Sequence, residues 1–340
     1  MTAHKSGHKT GEVLLKVEDL TVEFDTPRGP VRAVDGVSWQ VRAGETLAIL
    51  GESGSGKSVS TQALTGILEM PPGRILKGTA EYRGADLIQM TTKERRRIVG
   101  DRITMVFQDS LSALNPVQSV GTQIAECYRV HRGMSKRDAL KKAAEMLDQV
   151  RIPAAAKRVN DYPHEFSGGM RQRVMLAMAL ALDPDVLIAD EPTTALDVTV
   201  QAQILELIAE LQAERQMGVV LITHDLGVVS DVADNVVVMY AGHVVERAAT
   251  AEALEYPVHP YTEGLLGSMP SADLKGQELP TIPGTPPSLL AIPSGCAFRP
   301  RCPIAIDDCA AEVPPLLTVG PGRDAACIRR TSIAAKEAVG

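Results

Sequence analysis

Polar and apolar residues alternate through "LLKVEDLTVEF" and "VRAVDGVSWQV", and both stretches are rich in β-branched side chains. A period of two predicts two half-buried strands, joined through the turn-forming "DTPRGP". "ETLAILG" is a short apolar run closed by glycine, the pattern of a fully buried strand. A helical pattern starts at Lys57, "KGTAEYRGADL" reads as strand and turn, and Thr91 to Val99 reads as a charged helix. Residues 120–182 read mostly as helix, including "SKRDALKKAAEMLDQV" and the apolar "RVMLAMALAL". Strand and helix then alternate: "DVLIAD", the amphipathic "VTVQAQILELIAELQAE", "GVVLIT", "NVVVMY" and "HVVERA". This order predicts an α/β fold with a parallel core and a helical insertion. After residue 250 the periodicity fades, and the proline-rich "LPTIPGTPPSLLAIPSG" cannot be regular helix.

Composition narrows the class. A chain of 340 residues can bury a large core, as two units or as one large domain with an extension. A net charge of −7 argues against a nucleic-acid partner. No apolar run reaches the ~18 residues of a membrane span. The start, "MTAHKSGHKTGEV", lacks the apolar core of a secretory signal. The expected compartment is the reducing cytoplasm, where clustered cysteines bind metal or carry redox chemistry more often than they form disulfides.

Candidate chemistry begins at "GESGSGKS", which fits G-x-x-x-x-G-K-[ST] between a predicted strand and a predicted helix. Gly51, Glu52, Ser53, Gly54, Ser55 and Gly56 would wrap phosphate oxygens with backbone N–H groups. The helix N-terminus adds roughly half a positive charge. Lys57 would reach the terminal phosphates and Ser58 would ligate magnesium. A second anion site is predicted in "HEFSGGMRQRV", where Ser167 caps an apolar helix and Gly168 and Gly169 expose its first N–H groups. "DVLIADEPTTALD" ends a strand in Asp190, suited to magnesium, and Glu191, placed to polarise a water. "LITHD" puts His224 at another strand end, and "MVFQDS" puts Gln108 at a third.

Phosphate loop, glutamine, signature loop, Asp-Glu strand end, "ALD" turn and histidine, in this order over residues 12–250, resemble the ATP-binding cassette (ABC) family. The resemblance implies a P-loop nucleotide-binding domain with a RecA-like parallel core, an antiparallel β subdomain and a helical subdomain at about 110–182, followed by an irregular extension at 251–340. It implies ATP and Mg2+ as cofactors and head-to-tail pairing with a second cassette. Lys57 would then hold phosphate, and Ser58, Gln108 and Asp190 would serve magnesium. Glu191 would be the catalytic carboxylate and His224 the γ-phosphate switch. Asp197 would communicate across the pair, Ser167 to Met170 would meet the partner's ATP, and Phe24 would stack on adenine. The sequence departs from the common Leu-Ser-Gly-Gly-Gln at both ends, with Phe166 and Met170. Met170 has no amide for a ribose contact, while the Ser-Gly-Gly centre is intact.

Residues 59–189 leave no room for the long coiled coil of DNA-linked cassette ATPases, and a single cassette is unlike the translation-type proteins. "DSLSALNPVQSVGTQIAE", "YPHEFSGGMRQRVMLAMAL", "HDLGVVSDVADNVVVMYAGHVVE", "YPVHPYTEGLLGSMP" and "GCAFRPRCP" resemble the ATPase subunits of dipeptide and oligopeptide importers. Nickel importers and importers of other solutes share that plan. The resemblance implies two membrane-spanning permease subunits, a different second cassette chain, an indirect solute-binding protein, and a peripheral place on the cytoplasmic face of the membrane.

Five cysteines remain, and four crowd the tail: Cys296, Cys302, Cys309 and Cys327. Without a C-x-x-C pair a zinc ribbon matches poorly, and the residues leave open an iron–sulfur cluster, zinc, or free or disulfide-bonded thiols. The importer tail is linked with a [4Fe-4S] cluster, with Arg299 and Arg301 available to offset its charge. Cys127, on a predicted helix, reads as a buried apolar residue.

Overall fold

Strand Thr46–Leu50 is buried at all five positions, as an apolar run without alternation requires, and it leads straight into the phosphate loop. In the computed structural model, residues 9, 11–108, 113–194, 196–269 and 281–329 are described, and the chain divides into two compact units. One holds Val41–Glu45 and Met90–Leu221 together with the chain's start through Leu14. The other holds Leu15–Gln40, Thr46–Gln89 and everything from Ile222 onward.

In the first unit, strand Ile103–Val106 runs parallel to Val186–Asp190, with Ile103 opposite Val186 and Val106 opposite Ala189. Strand Gly218–Thr223 lies on the other side of Val186–Asp190. The helical stretch is broken into Val120–Arg132, Lys136–Gln149, Ala155–Arg158 and Gly168–Leu180. Left-handed Gly133 ends the first of these, and the Ser135 hydroxyl caps the second. The charged segment expected from Thr91 to Val99 is helical only over Thr92–Arg95, closed by a capping box between Thr91 and Glu94. One core joins these helices to the strands, from Ile124, Leu147 and Val174 through Leu187 to Ile208. Cys127 packs against that core half-buried; burial raises its thiol above the usual range.

In the second unit, strands Val13–Thr26 and Gly73–Tyr82 pair antiparallel within a four-stranded sheet. Strand Thr46–Leu50 runs parallel to Asn235–Tyr240, which pairs antiparallel with His243–Ala249. The tail differs from an irregular extension. It folds into helices Thr250–Glu255 and Pro260–Gly267, and it adds strands Leu317–Gly320 and Arg323–Ala325 to the edge of His243–Ala249. Those strands are short and polar, so periodicity does not mark them. Their register is fixed by Arg247 against Asp324, at 2.5 Å. Among the described residues no helix is long and apolar enough to cross a membrane.

Candidate functional site

The phosphate loop in the second unit is built from backbone shape. Gly51 has φ +151°, and a Cβ there would lie 2.2 Å from the Met239 carbonyl oxygen. Gly56 has φ +99°, and its Cβ would lie 2.3 Å from the Ala33 carbonyl oxygen. Only glycine satisfies both the conformation and the clearance. Gly56 caps helix Lys57–Thr65 with no side-chain acceptor and no acidic residue follows in the first turn, which suits that helix end to an anion. Lys57 is 5 % exposed, and its Nζ donates to the carbonyl oxygens of Gly51 (2.7 Å) and Glu52 (3.0 Å). The Ser55 hydroxyl is buried without a hydrogen-bond partner, a polar atom left for something the chain does not supply. Glycine cradle, orphaned hydroxyl and buried ammonium together fit a polyphosphate.

In the first unit, Asp190 ends its strand buried. Glu191 follows with φ +46°, a left-handed backbone that costs a non-glycine residue about 1 kcal/mol or more. Its carboxylate accepts from Gln108 Nε2 at 2.8 Å and from the Thr194 hydroxyl at 2.9 Å. Gln108 and Glu191 are 83 residues apart and meet because their two strands are parallel neighbours. Thr194 carries no sequence signal beyond standing three residues after Glu191.

Ser167 caps helix Gly168–Leu180, its oxygen accepting from the Met170 N–H at 3.4 Å. Ser167 and Gly168 are exposed. The two departures at the ends have packing reasons. Phe166 is 2 % exposed beneath the Arg158 guanidinium, and Met170 packs half-buried against the unit's core. Gly169 is pressed against the next helix, where its Cβ would stand 2.5 Å from Val200 Cγ1. Asp197 caps that helix, Val198–Arg215, through the Val200 N–H at 2.9 Å. In the second unit, His224 is exposed just past strand Gly218–Thr223, and Phe24 is half-buried with its backbone opposite Gly73.

In the second unit's tail, Cys296, Cys302, Cys309 and Cys327 line one pocket, walled also by Pro260, Phe298 and Ile304. None of the four forms a disulfide. Among the described residues no group of three or more His, Cys, Asp or Glu is arranged to hold a metal ion. The two facts differ in scale. One zinc needs sulfurs at ~2.3 Å from a single point. A cubane of four irons and four sulfides is several atoms wide, so its ligands surround a cavity. Four cysteines around one pocket are the donor set such a cluster would take. Burial pushes the Cys296 and Cys302 thiols up, with backbone N–H groups opposing.

Arg301 is not spent on this pocket, contrary to its expected role; Arg299 and Arg329 line it instead. The Arg301 guanidinium donates to both Glu52 carboxylate oxygens, at 2.7 and 3.0 Å. Sequence reasoning misses that pair, and also Tyr261, whose hydroxyl accepts the Glu52 N–H at 2.9 Å.

Comparison with known proteins covers most of the chain. Residues 34–194 match the family described as "ABC transporter", and residues 245–309 match "Oligopeptide/dipeptide transporter, C-terminal region". The chain is 51 % identical to the oligopeptide transport ATP-binding protein OppD of Salmonella typhimurium, covering 93 % of this chain and 94 % of that one. It is 48 % identical to the dipeptide transport ATP-binding protein DppD of Escherichia coli, over 92 % and 96 %. Among solved structures, a dimeric post-hydrolysis state of the ATP-binding cassette MJ0796 bound to ADP and Pi superposes with a TM-score of 0.62 at 27 % identity, covering 70 % of this chain and 99 % of that one.

Proposed function

Because the chain belongs to the ABC transporter ATPase family, in the branch that carries the oligopeptide/dipeptide transporter C-terminal region, we propose that it is the ATP-hydrolysing subunit of a peptide importer. The observation that carries this reading is the join of a phosphate-loop cassette to a peptide-transporter tail in one chain, kept over 93 % of its length in OppD. Residues 12–250 are the cassette and 251–340 its extension.

Each residue then has a chemical task. The Gly51–Ser58 loop takes the phosphates, with Lys57 exchanging the carbonyls of Gly51 and Glu52 for phosphate oxygens. Magnesium, bound through oxygens that Ser58, Gln108 and Asp190 offer, would neutralise charge on the phosphates. Glu191 is the general base. It takes a proton as water attacks the γ-phosphorus and the bond to ADP breaks, giving ADP and phosphate. The hydrogen bonds from Gln108 and Thr194 fix its carboxylate for that transfer. His224 touches the γ-phosphate and Phe24 stacks on adenine. Ser167, Gly168 and Gly169 offer N–H groups to the ATP of a second, different cassette, and Asp197 sets the helix beside them. Two permease subunits hold the pair on the cytoplasmic face of the membrane, and a solute-binding protein acts on those permeases. The four tail cysteines hold a [4Fe-4S] cluster, a reading supported by their shared pocket. Its task is structural, ligation tying together the turns that carry Cys296, Cys302, Cys309 and Cys327.

The test is uptake of a labelled dipeptide and a labelled tetrapeptide by cells lacking this chain. Loss of uptake, restored by the intact chain and not by Glu191→Gln, is the expected result. Unchanged peptide uptake with loss of nickel uptake would overturn the peptide assignment and leave the ATPase.

A further inference from the structure

Glu52 is an acid inside a loop whose business is a polyanion. Its side chain is 27 % exposed, and an unpaired carboxylate there would repel the phosphates. The chain answers from 249 residues away. Arg301 is 6 % exposed and donates four hydrogen bonds: to Glu52 Oε2 at 2.7 Å, to Glu52 Oε1 at 3.0 Å, to the Tyr240 hydroxyl at 3.3 Å, and through Nε to the Pro283 carbonyl at 3.0 Å. This is the bidentate fork geometry that lysine cannot reproduce. The Glu52 backbone is held as well, its N–H by Tyr261 and its carbonyl by Lys57. Rings set the angle of the clamp. Tyr240 and Tyr261 lie 4.6 Å apart between centroids, and Phe298 stands 5.3 Å from each. All of these residues lie in one compact unit.

We propose that Arg301, with Tyr261, is a positioning and charge-neutralising element of the phosphate loop, so that the tail completes the nucleotide site in cis. Arg301 touches no nucleotide. It cancels the Glu52 charge and fixes the carboxylate away from the phosphates, and Tyr261 fixes the peptide that Lys57 must release. The tail is therefore part of the ATP machinery as well as a mark of the transporter type. Arg301 also stands directly before Cys302, so the turn Arg299–Arg301 joins the cysteine pocket to the loop.

This inference rests on the ATP-binding reading of the loop, and the experiment separates the two. MgATP and adenosine affinities are measured by calorimetry on the full chain for wild type, Arg301→Met, Arg301→Lys, Glu52→Gln and the double variant Glu52→Gln/Arg301→Met. Arg301→Met should weaken MgATP about tenfold and leave adenosine within about twofold, because only the polyphosphate meets the exposed charge. The double variant should recover most of the loss, since no carboxylate remains to be neutralised. Arg301→Lys, which keeps the charge but not the fork and serves if the methionine variant does not fold, should lie between wild type and Arg301→Met. Equal MgATP affinity in wild type and Arg301→Met would overturn the inference. So would a double variant as weak as Arg301→Met, or Arg301→Lys losing as much as Arg301→Met; either marks a purely structural arginine. A wild-type chain that binds no MgATP would instead defeat the ATP-binding reading.

Discussion

Gly169→Ala is a sharp perturbation, because the obstacle it meets is a single methyl group. The added Cβ would stand 2.5 Å from Val200 Cγ1, whereas ordinary contact begins near 3.4 Å, so the start of the signature helix or Val200 must retreat by about 0.9 Å. Val200 cannot rotate away cheaply, since a β-branched side chain in a helix has one strongly preferred rotamer. The retreat falls on the first turn of helix Gly168–Leu180, whose exposed N–H groups are assigned to the partner's ATP. A misplacement of ~1 Å in a positioning group costs about a hundredfold in rate. Turnover of the transporter, reconstituted with its permeases and second cassette, should therefore fall about a hundredfold in Gly169→Ala. Replacing Val200 by Ala as well removes Cγ1 and should restore most of that loss. If the double variant is as slow as the single one, the new methyl blocks the phosphate directly and the packing argument is wrong.

Three further outcomes follow from particular groups. Glu191→Gln should still bind ATP but hydrolyse it about a hundredfold more slowly, while Lys57→Ala should weaken binding itself; near wild-type turnover in Glu191→Gln would remove it from the base role. Anaerobically purified protein should be brown with matching iron and acid-labile sulfide, and Cys302→Ser should bleach it and open the tail to protease; a colourless preparation with one zinc per chain would replace the cluster by a zinc staple. Glu246 is 1 % exposed and accepts the Val258 and His259 N–H groups, yet burial raises its pKa, with those two N–H groups and Arg323 opposing. Its folded form thus holds a proton more tightly than the unfolded chain, and its contribution to stability is lost as pH rises from 4.5 through the folded pKa. Glu246→Gln, which keeps an acceptor oxygen, should flatten denaturant stability across that range, and an unchanged pH profile would refute the argument.

The sequence by itself determined the family and the alphabet of the site. Its signals are local: a glycine spacing that only a phosphate loop needs, a cap followed by two glycines, an acid pair closing an apolar strand. Such signals survive without knowledge of what lies opposite, because each reports a constraint on neighbouring backbone. The strands of the central regions were readable for the same reason, since full burial writes itself as an unbroken apolar run. The breaks in the helical stretch and the two tail strands were not, being fixed by Gly133, Ser135 and the Arg247–Asp324 pair rather than by periodicity. Tertiary structure alone decided which distant groups share an environment. It put Gln108 on Glu191, and it gathered four tail cysteines with no recognisable spacing around one pocket. It also turned Arg301 from the cysteines to Glu52. A guanidinium goes where a desolvated carboxylate and a shaped wall are offered together, and that offer comes from residues 249 positions earlier, which no local pattern near Arg301 can reveal.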